Sequence, residues 1–111
     1  MSTRYKFVAL VNAKEGQDSA FNDWHSETHL PEVVRAAGFS RGERLKLVDG
    51  SNGEGTVYRY LVLFEGEGDP MQALTKLGAA MGAGALHISE SLGAPLWASM
   101  YEAIPGAEFV A

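Results

Sequence analysis

A chain of 111 residues has room for one compact domain and is too short for two, so residues 1–111 are read as a single unit. A formal charge of -5, with nine Lys and Arg that form no run, disfavours a nucleic-acid partner. The absence of cysteine excludes disulfides, thiolate metal sites and a cysteine nucleophile, while 46% hydrophobic residues suffice for a core.

The first predicted element is a strand over Tyr5–Val11. The apolar run around it, from Phe7 to Ala13, is interrupted by Asn12 and is too short and polar for a signal peptide or a membrane span. We therefore expect a cytoplasmic protein without a membrane partner. A turn at Gly16 leads to a helix whose stripe is Ala20, Phe21 and Trp24. That helix carries His25 and His29, four positions apart, and Pro31 follows. Proline disfavours helical geometry at the residue before it, which predicts a break at Leu30 and a restart at Pro31. His29 would then sit in a last helical turn, its ring held by freed carbonyls and its pKa raised toward neutrality or above.

A strand follows over Phe39–Val48, with Leu45 and Leu47 on one side and Arg44 and Lys46 on the other. The stretch from Asp49 to Gly55 is a hairpin loop. Tyr58–Phe64 then repeats Tyr5–Val11 type for type at an offset of 53, and Ala73, Leu74 and Leu77 repeat the helical stripe. A short helix is expected within Gly84–Pro95, before a last strand over Trp97–Ile104.

The order is β-α-β-β-α-β, an α+β ferredoxin-like split arrangement with an antiparallel four-stranded sheet and helices on one face. The two repeat strands should lie side by side at its centre. Both faces of those strands are apolar, with Tyr5, Phe7, Ala9 and Val11 against Val8 and Leu10, and Tyr60, Val62 and Phe64 against Leu61 and Leu63. Two helices cover only one face, so a sheet-to-sheet homodimer is expected. Which face meets the partner is left open.

The repeat separates packing from chemistry. His25, Glu27 and His29 stand opposite Gly78, Ala80 and Gly82, so the first helix carries a polar cluster that the fold does not need. Two imidazoles at this spacing suit proton transfer, and each also has a plain reading as a hydrogen-bonded structural residue. The same spacing is a weak metal signal, because the glutamate of the zinc-protease helix does not follow His25 and His87 is distant in sequence. No metal is expected.

The run Gly-Gln-Asp-Ser-Ala-Phe-Asn-Asp-Trp at 16–24, followed by His29-Leu30-Pro31-Glu32-Val33, Gly38-Phe39 and Arg44, resembles the EthD-like branch of the dimeric α+β barrel superfamily. Asn12 and the strand from Tyr60 to Glu65 fit the same pattern. The resemblance implies a ferredoxin-like subunit, a homodimer whose two sheets form a barrel, and a pocket between sheet and helices that holds His29. The superfamily includes polyketide cyclases, muconolactone-type isomerases, cofactor-free monooxygenases and haem-degrading enzymes, and no residue here matches the haem branch. This chain has His25 where a tyrosine is usual.

The expected function is a cofactor-independent enzyme of isomerase, cyclase or lyase type, acting on a small cyclic or aromatic carbonyl compound. His29 would move the proton, with His25 and Asn12 polarising or orienting the oxygen. Trp24 and Phe21 would form an apolar wall, and Tyr60 is a further candidate for substrate contact. Arg44 would steady an anionic group if it turns inward, which strand alternation leaves open. The alternatives are a non-catalytic small-molecule-binding protein and a cofactor-free monooxygenase.

Overall fold

A computed structural model describes residues 3–111. Eight segments follow one another: β1 (Thr3–Val11), α1 (Asp18–Trp24), a π-helical turn (His25–His29), α2 (Leu30–Ala37), β2 (Arg41–Lys46), β3 (Tyr60–Gly68), α3 (Pro70–Gly82) and β4 (Trp97–Glu102). The sheet is antiparallel with strand order β2-β3-β1-β4, which puts the repeat strands together at the centre. This is the expected ferredoxin-like α+β arrangement.

Alternation along the central strands decides what each face meets. Tyr5, Val11, Tyr60, Val62 and Phe64 point to the helices and are buried there with Val33, Ala37, Phe39, Ala73 and Leu77. Phe39 precedes β2 rather than belonging to it, and its ring stacks on Phe64 at 5.1 Å. Gly38 closes α2 at φ 76, a left-handed conformation that suits glycine. At the start of α3 the Asp69 carboxylate accepts from the Met71 and Gln72 backbone N–H groups, and Pro70 occupies the first turn.

The opposite face has no cover. Pairing places Leu45, Leu61, Leu10 and Trp97 in one row and Leu63 and Val8 in the next. Leu45, Trp97 and Tyr101 remain 45%, 39% and 53% exposed. The subunit is a slab of 46 × 39 × 22 Å with 7507 Å² of accessible surface. A compact monomer of this mass exposes ~6,000 Å².

Three local expectations are corrected. The helix does not break at Leu30, since His29 and Leu30 keep helical dihedrals and the Leu30 N–H reaches back to the His25 carbonyl. A π turn replaces the break. Its longer hydrogen-bond step accommodates a proline ring that would press on the carbonyl four residues earlier in an α-helix. Gly84–Pro95 forms no helix, because its backbone bonds go sideways. The Lys14 N–H donates to the Ser91 carbonyl at 2.7 Å, and the Gly93 N–H donates to the Asn12 carbonyl at 2.7 Å. The outer strands β2 and β4 are shorter than expected, while β1 begins earlier, at Thr3, and β3 is shifted to Tyr60–Gly68. Residues 57–59 precede β3, held by Asn12, while the Leu47 N–H still donates to the Arg59 carbonyl.

Candidate functional site

The π turn sets the geometry around the two imidazoles. On a regular α-helix His29 would lie about 140° around the axis from Trp24. The wider turn rotates it back, so that the His29 ring stacks on Trp24 at 4.7 Å, 26° from parallel. His25 stacks on the same indole at 5.5 Å and 15°, and the two imidazoles are 5.3 Å apart. Phe21, fully buried, packs on His25 at 4.8 Å and on Tyr60 at 5.2 Å. Trp24, His25, His29, Phe21 and Tyr60 thus form one aromatic cluster.

Arg44 belongs to this region because β2 turns it toward the helices. Its register partner is Val62, whose side chain is buried on that face. The guanidinium lies 5.5 Å from the Phe21 ring centre and 5.3 Å from that of Tyr60. It donates to the Asn22 side-chain oxygen at 2.8 Å and to the Ser26 hydroxyl at 2.7 Å. Asn22 in turn donates to the Tyr60 hydroxyl at 3.1 Å, and that hydroxyl donates to Asp18 at 2.8 Å. No carboxylate lies within 4 Å of Arg44 among the described residues. Its direct hydrogen-bond partners are neutral, and the carboxylate in its network, Asp18, is reached only through Asn22 and Tyr60.

Electrostatics follow from burial. His25 is 3% exposed, and burial, Arg44 and then His29 push its pKa from 6.5 down to about 3. His29 is also held below 6.5 by burial, which outweighs the opposing pull of the Glu32 carboxylate. The expectation of a raised His29 pKa is therefore corrected. The helix runs through His29 without a free C-terminal end, so no carbonyls gather there to favour an imidazolium. Nor does a carbonyl hold the ring, since the Nδ1 atoms of His25 and His29 have no hydrogen-bond partner in the protein. The Arg44 Nε is in the same condition. Buried polar atoms of this kind each cost about 1–3 kcal/mol until partnered.

Asn12 lies outside this arrangement. Its amide donates to the Val57 carbonyl at 2.9 Å and accepts from the Arg59 N–H at 2.8 Å, so both ends of the side chain are engaged in pinning the entry to β3. Among the described residues no group of three His, Asp or Glu side chains could hold a metal ion. No helix there is long and apolar enough to cross a membrane.

Sequence reasoning did not single out Ser26, and it assigned no contact to Asn22, Glu32 or His87. Asn22 and Ser26 lie four residues apart on the helix, a spacing that can place two polar groups before one cation. The Glu32 carboxylate accepts from the His87 backbone N–H at 3.2 Å and meets the His87 Nδ1 at 2.9 Å. The Trp24 indole N–H donates to the His87 carbonyl at 2.8 Å. Nothing in the spacing of residues 55 and 63 positions apart announces these contacts.

No family profile matches the chain, and no curated protein matches it in sequence. Solved structures do. An ethyl tert-butyl ether D (EthD) family protein from Bacillus halodurans superimposes with a TM-score of 0.61 at 19% identity, over 91% of this chain and 99% of its own. A protein of unknown function from Nitrosomonas europaea gives 0.54 at 22% identity, covering 100% and 97%. An EthD-like protein from Ralstonia eutropha gives 0.55 at 13% identity, covering 89% and 92%. The chain has the fold of the EthD-like proteins.

Proposed function

We infer that the aromatic cluster and Arg44 form a site for a small carbonyl compound, and that His29 acts there as a general base. The observation that carries this reading is the pair of neutral imidazoles, each with an Nδ1 that no protein group bonds, near a guanidinium with no direct carboxylate partner. A neutral imidazole accepts a proton, and such a cation favours a ligand that carries or develops negative charge. His29 would take a proton from the carbon next to the carbonyl. The C–H electron pair would form the enolate C=C bond, and the carbonyl π pair would move onto oxygen. Arg44 would steady that oxygen while the neutral His25 donates its N–H. Return of the proton to the same or a conjugated carbon completes an exchange or an isomerisation with no cofactor required. The low basicity of His25 makes it a donor rather than the base.

The subunit would work as a homodimer, with the open sheet faces packed on each other. The uncovered rows of Leu10, Leu45, Leu61, Leu63 and Trp97 support this, as does the surface excess over a compact monomer of ~1,500 Å². A twin sheet would close the second face that α1, α2 and α3 cannot reach.

The test is deuterium incorporation in D2O, followed by proton NMR, across a panel of cyclic and aromatic carbonyl compounds. Exchange next to the carbonyl should fall about 100-fold or more in His29→Ala. Arg44→Met should raise KM for anionic compounds more than for neutral ones. A ligand that binds the cluster tightly with no exchange above the His29→Ala background would convert the reading to a binding protein.

A further inference from the structure

Residues 85–93 run past Trp24, the ring on which both imidazoles stack, and their two ends are fixed by burial. At one end Leu86 is buried in the main core. At the other, Leu92 packs against the cluster of Val11, Phe21 and Tyr60, and Gly93 lies flat on β1's exit. A Cβ at Gly93 would stand 2.8 Å from the carbonyl oxygens of Asn12 and Ala13, so this anchor admits no side chain. Ser91 belongs to the second anchor, buried with its carbonyl accepting from the Lys14 N–H, so the stretch between the anchors is residues 87–90. Ile88 is half exposed, and the His87 side chain is 80% exposed although its ring is bonded.

What holds the middle is polar and converges on the site. Glu32 grips His87 by its backbone N–H and its ring, and the Trp24 indole N–H holds the same residue by its carbonyl. Trp24 is the ring on which both imidazoles stack, and Glu32 is one helical step from His29 and close enough to act on its charge. We propose that residues 85–93 are a strap that gates entry to the His25–His29 pair, with Glu32 as its latch through His87. Releasing the latch exposes little new apolar surface at His87, because its ring is already in water. Opening of residues 87–90 therefore gives up the His87 hydrogen bonds and the covered half of Ile88, while the Leu86 and Ser91–Gly93 anchors stay in place. The proposal rests on the pair being the ligand site, and its test needs no turnover.

Two readouts on the whole protein test it. The Trp24 indole N–H reports strap closure directly, and Trp97, on the open sheet face, serves as the control. In Glu32→Ala, hydrogen exchange of the Trp24 indole should accelerate about tenfold or more, as expected for losing a charge-assisted hydrogen bond, with a smaller effect in Glu32→Gln. Trp97 and the β1–β3 amides should stay within about twofold of the parent, which shows an intact fold. Carbethoxylation of His29 by diethyl pyrocarbonate, resolved by peptide mass, should rise in parallel with Trp24 exchange. A Trp24 rate unchanged in both variants removes the latch, and faster Trp24 exchange with unchanged His29 labelling removes the gate. Neither result touches deuterium exchange by His29, so failure of the strap and failure of the proton-transfer reading are distinguishable.

Discussion

Replacing His25 with phenylalanine should flatten the acid limb of the stability profile. The folded protein holds this imidazole neutral, with a pKa of about 3 against 6.5 for an ordinary ring. Between those values the unfolded chain binds a proton that the folded chain refuses. Stability therefore falls as pH falls through that window, with a limiting slope of about 1.4 kcal/mol per pH unit. From pH 7 to pH 5 the loss attributable to His25 is about 2 kcal/mol. Phenylalanine does not titrate and keeps the stacking on Phe21 and Trp24, so His25→Phe should lose that much less over the same interval. Urea unfolding at both pH values measures the difference, which at an m-value of about 1–3 kcal/mol/M is a midpoint change of roughly 1 M. His29 and the carboxylates are common to both proteins and cancel in the comparison. Parallel profiles would refute the reasoning, because they would mean that His25 protonates in the folded state as readily as in water.

Other perturbations reach other parts of the account. Leu61→Glu puts a charge in the central row of the open face, and sedimentation should show a dimer for the parent and an 11.9 kDa monomer for the variant. A parent that already sediments as a monomer at micromolar concentration contradicts the sheet-to-sheet assembly. Pro31→Ala restores an N–H and removes the ring that the π turn accommodates. The turn should relax toward a regular α-helix, turning His29 away from Trp24, seen as loss of ring-current shifts on His29 with no loss of thermal stability. Gly93→Ala meets two carbonyl oxygens at 2.8 Å and should cost about 1–3 kcal/mol in urea unfolding, whereas Gly78→Ala, inside α3 and facing open space, should gain about 0.5–1 kcal/mol.

The framework of the molecule was legible because it is written in periodicity. The alternation of Tyr5–Val11 and its echo at Tyr58–Phe64 give the central strand pair, and the apolar residues on both of its faces give one covered and one open side. The internal repeat also isolated His25 and His29, since nothing in the second half answers them. What the sequence hid depends on longer reach. Pro31 reads locally as a break, yet tertiary packing of Val33 and Ala37 keeps the helix continuous and the strain is absorbed in a π turn. The neutral state of His29 follows from burial under Trp24 and its neighbours, which the expected helix end obscured. Arg44 faces inward because of its register against Val62, and a single strand's alternation could not choose that side. The Glu32–His87 clasp joins segments whose only relation is spatial.

The central claim is that position 29 presents an uncharged imidazole ready to take a proton at neutral pH. The direct measurement is a pH titration of histidine side-chain nitrogen shifts from pH 4 to pH 8 in the purified protein. The account predicts that His29 is neutral at pH 7 and titrates below 6.5, while His25, at about 3, stays neutral down to pH 4. A His29 that carries its proton at pH 7, or that titrates at or above 6.5, contradicts it.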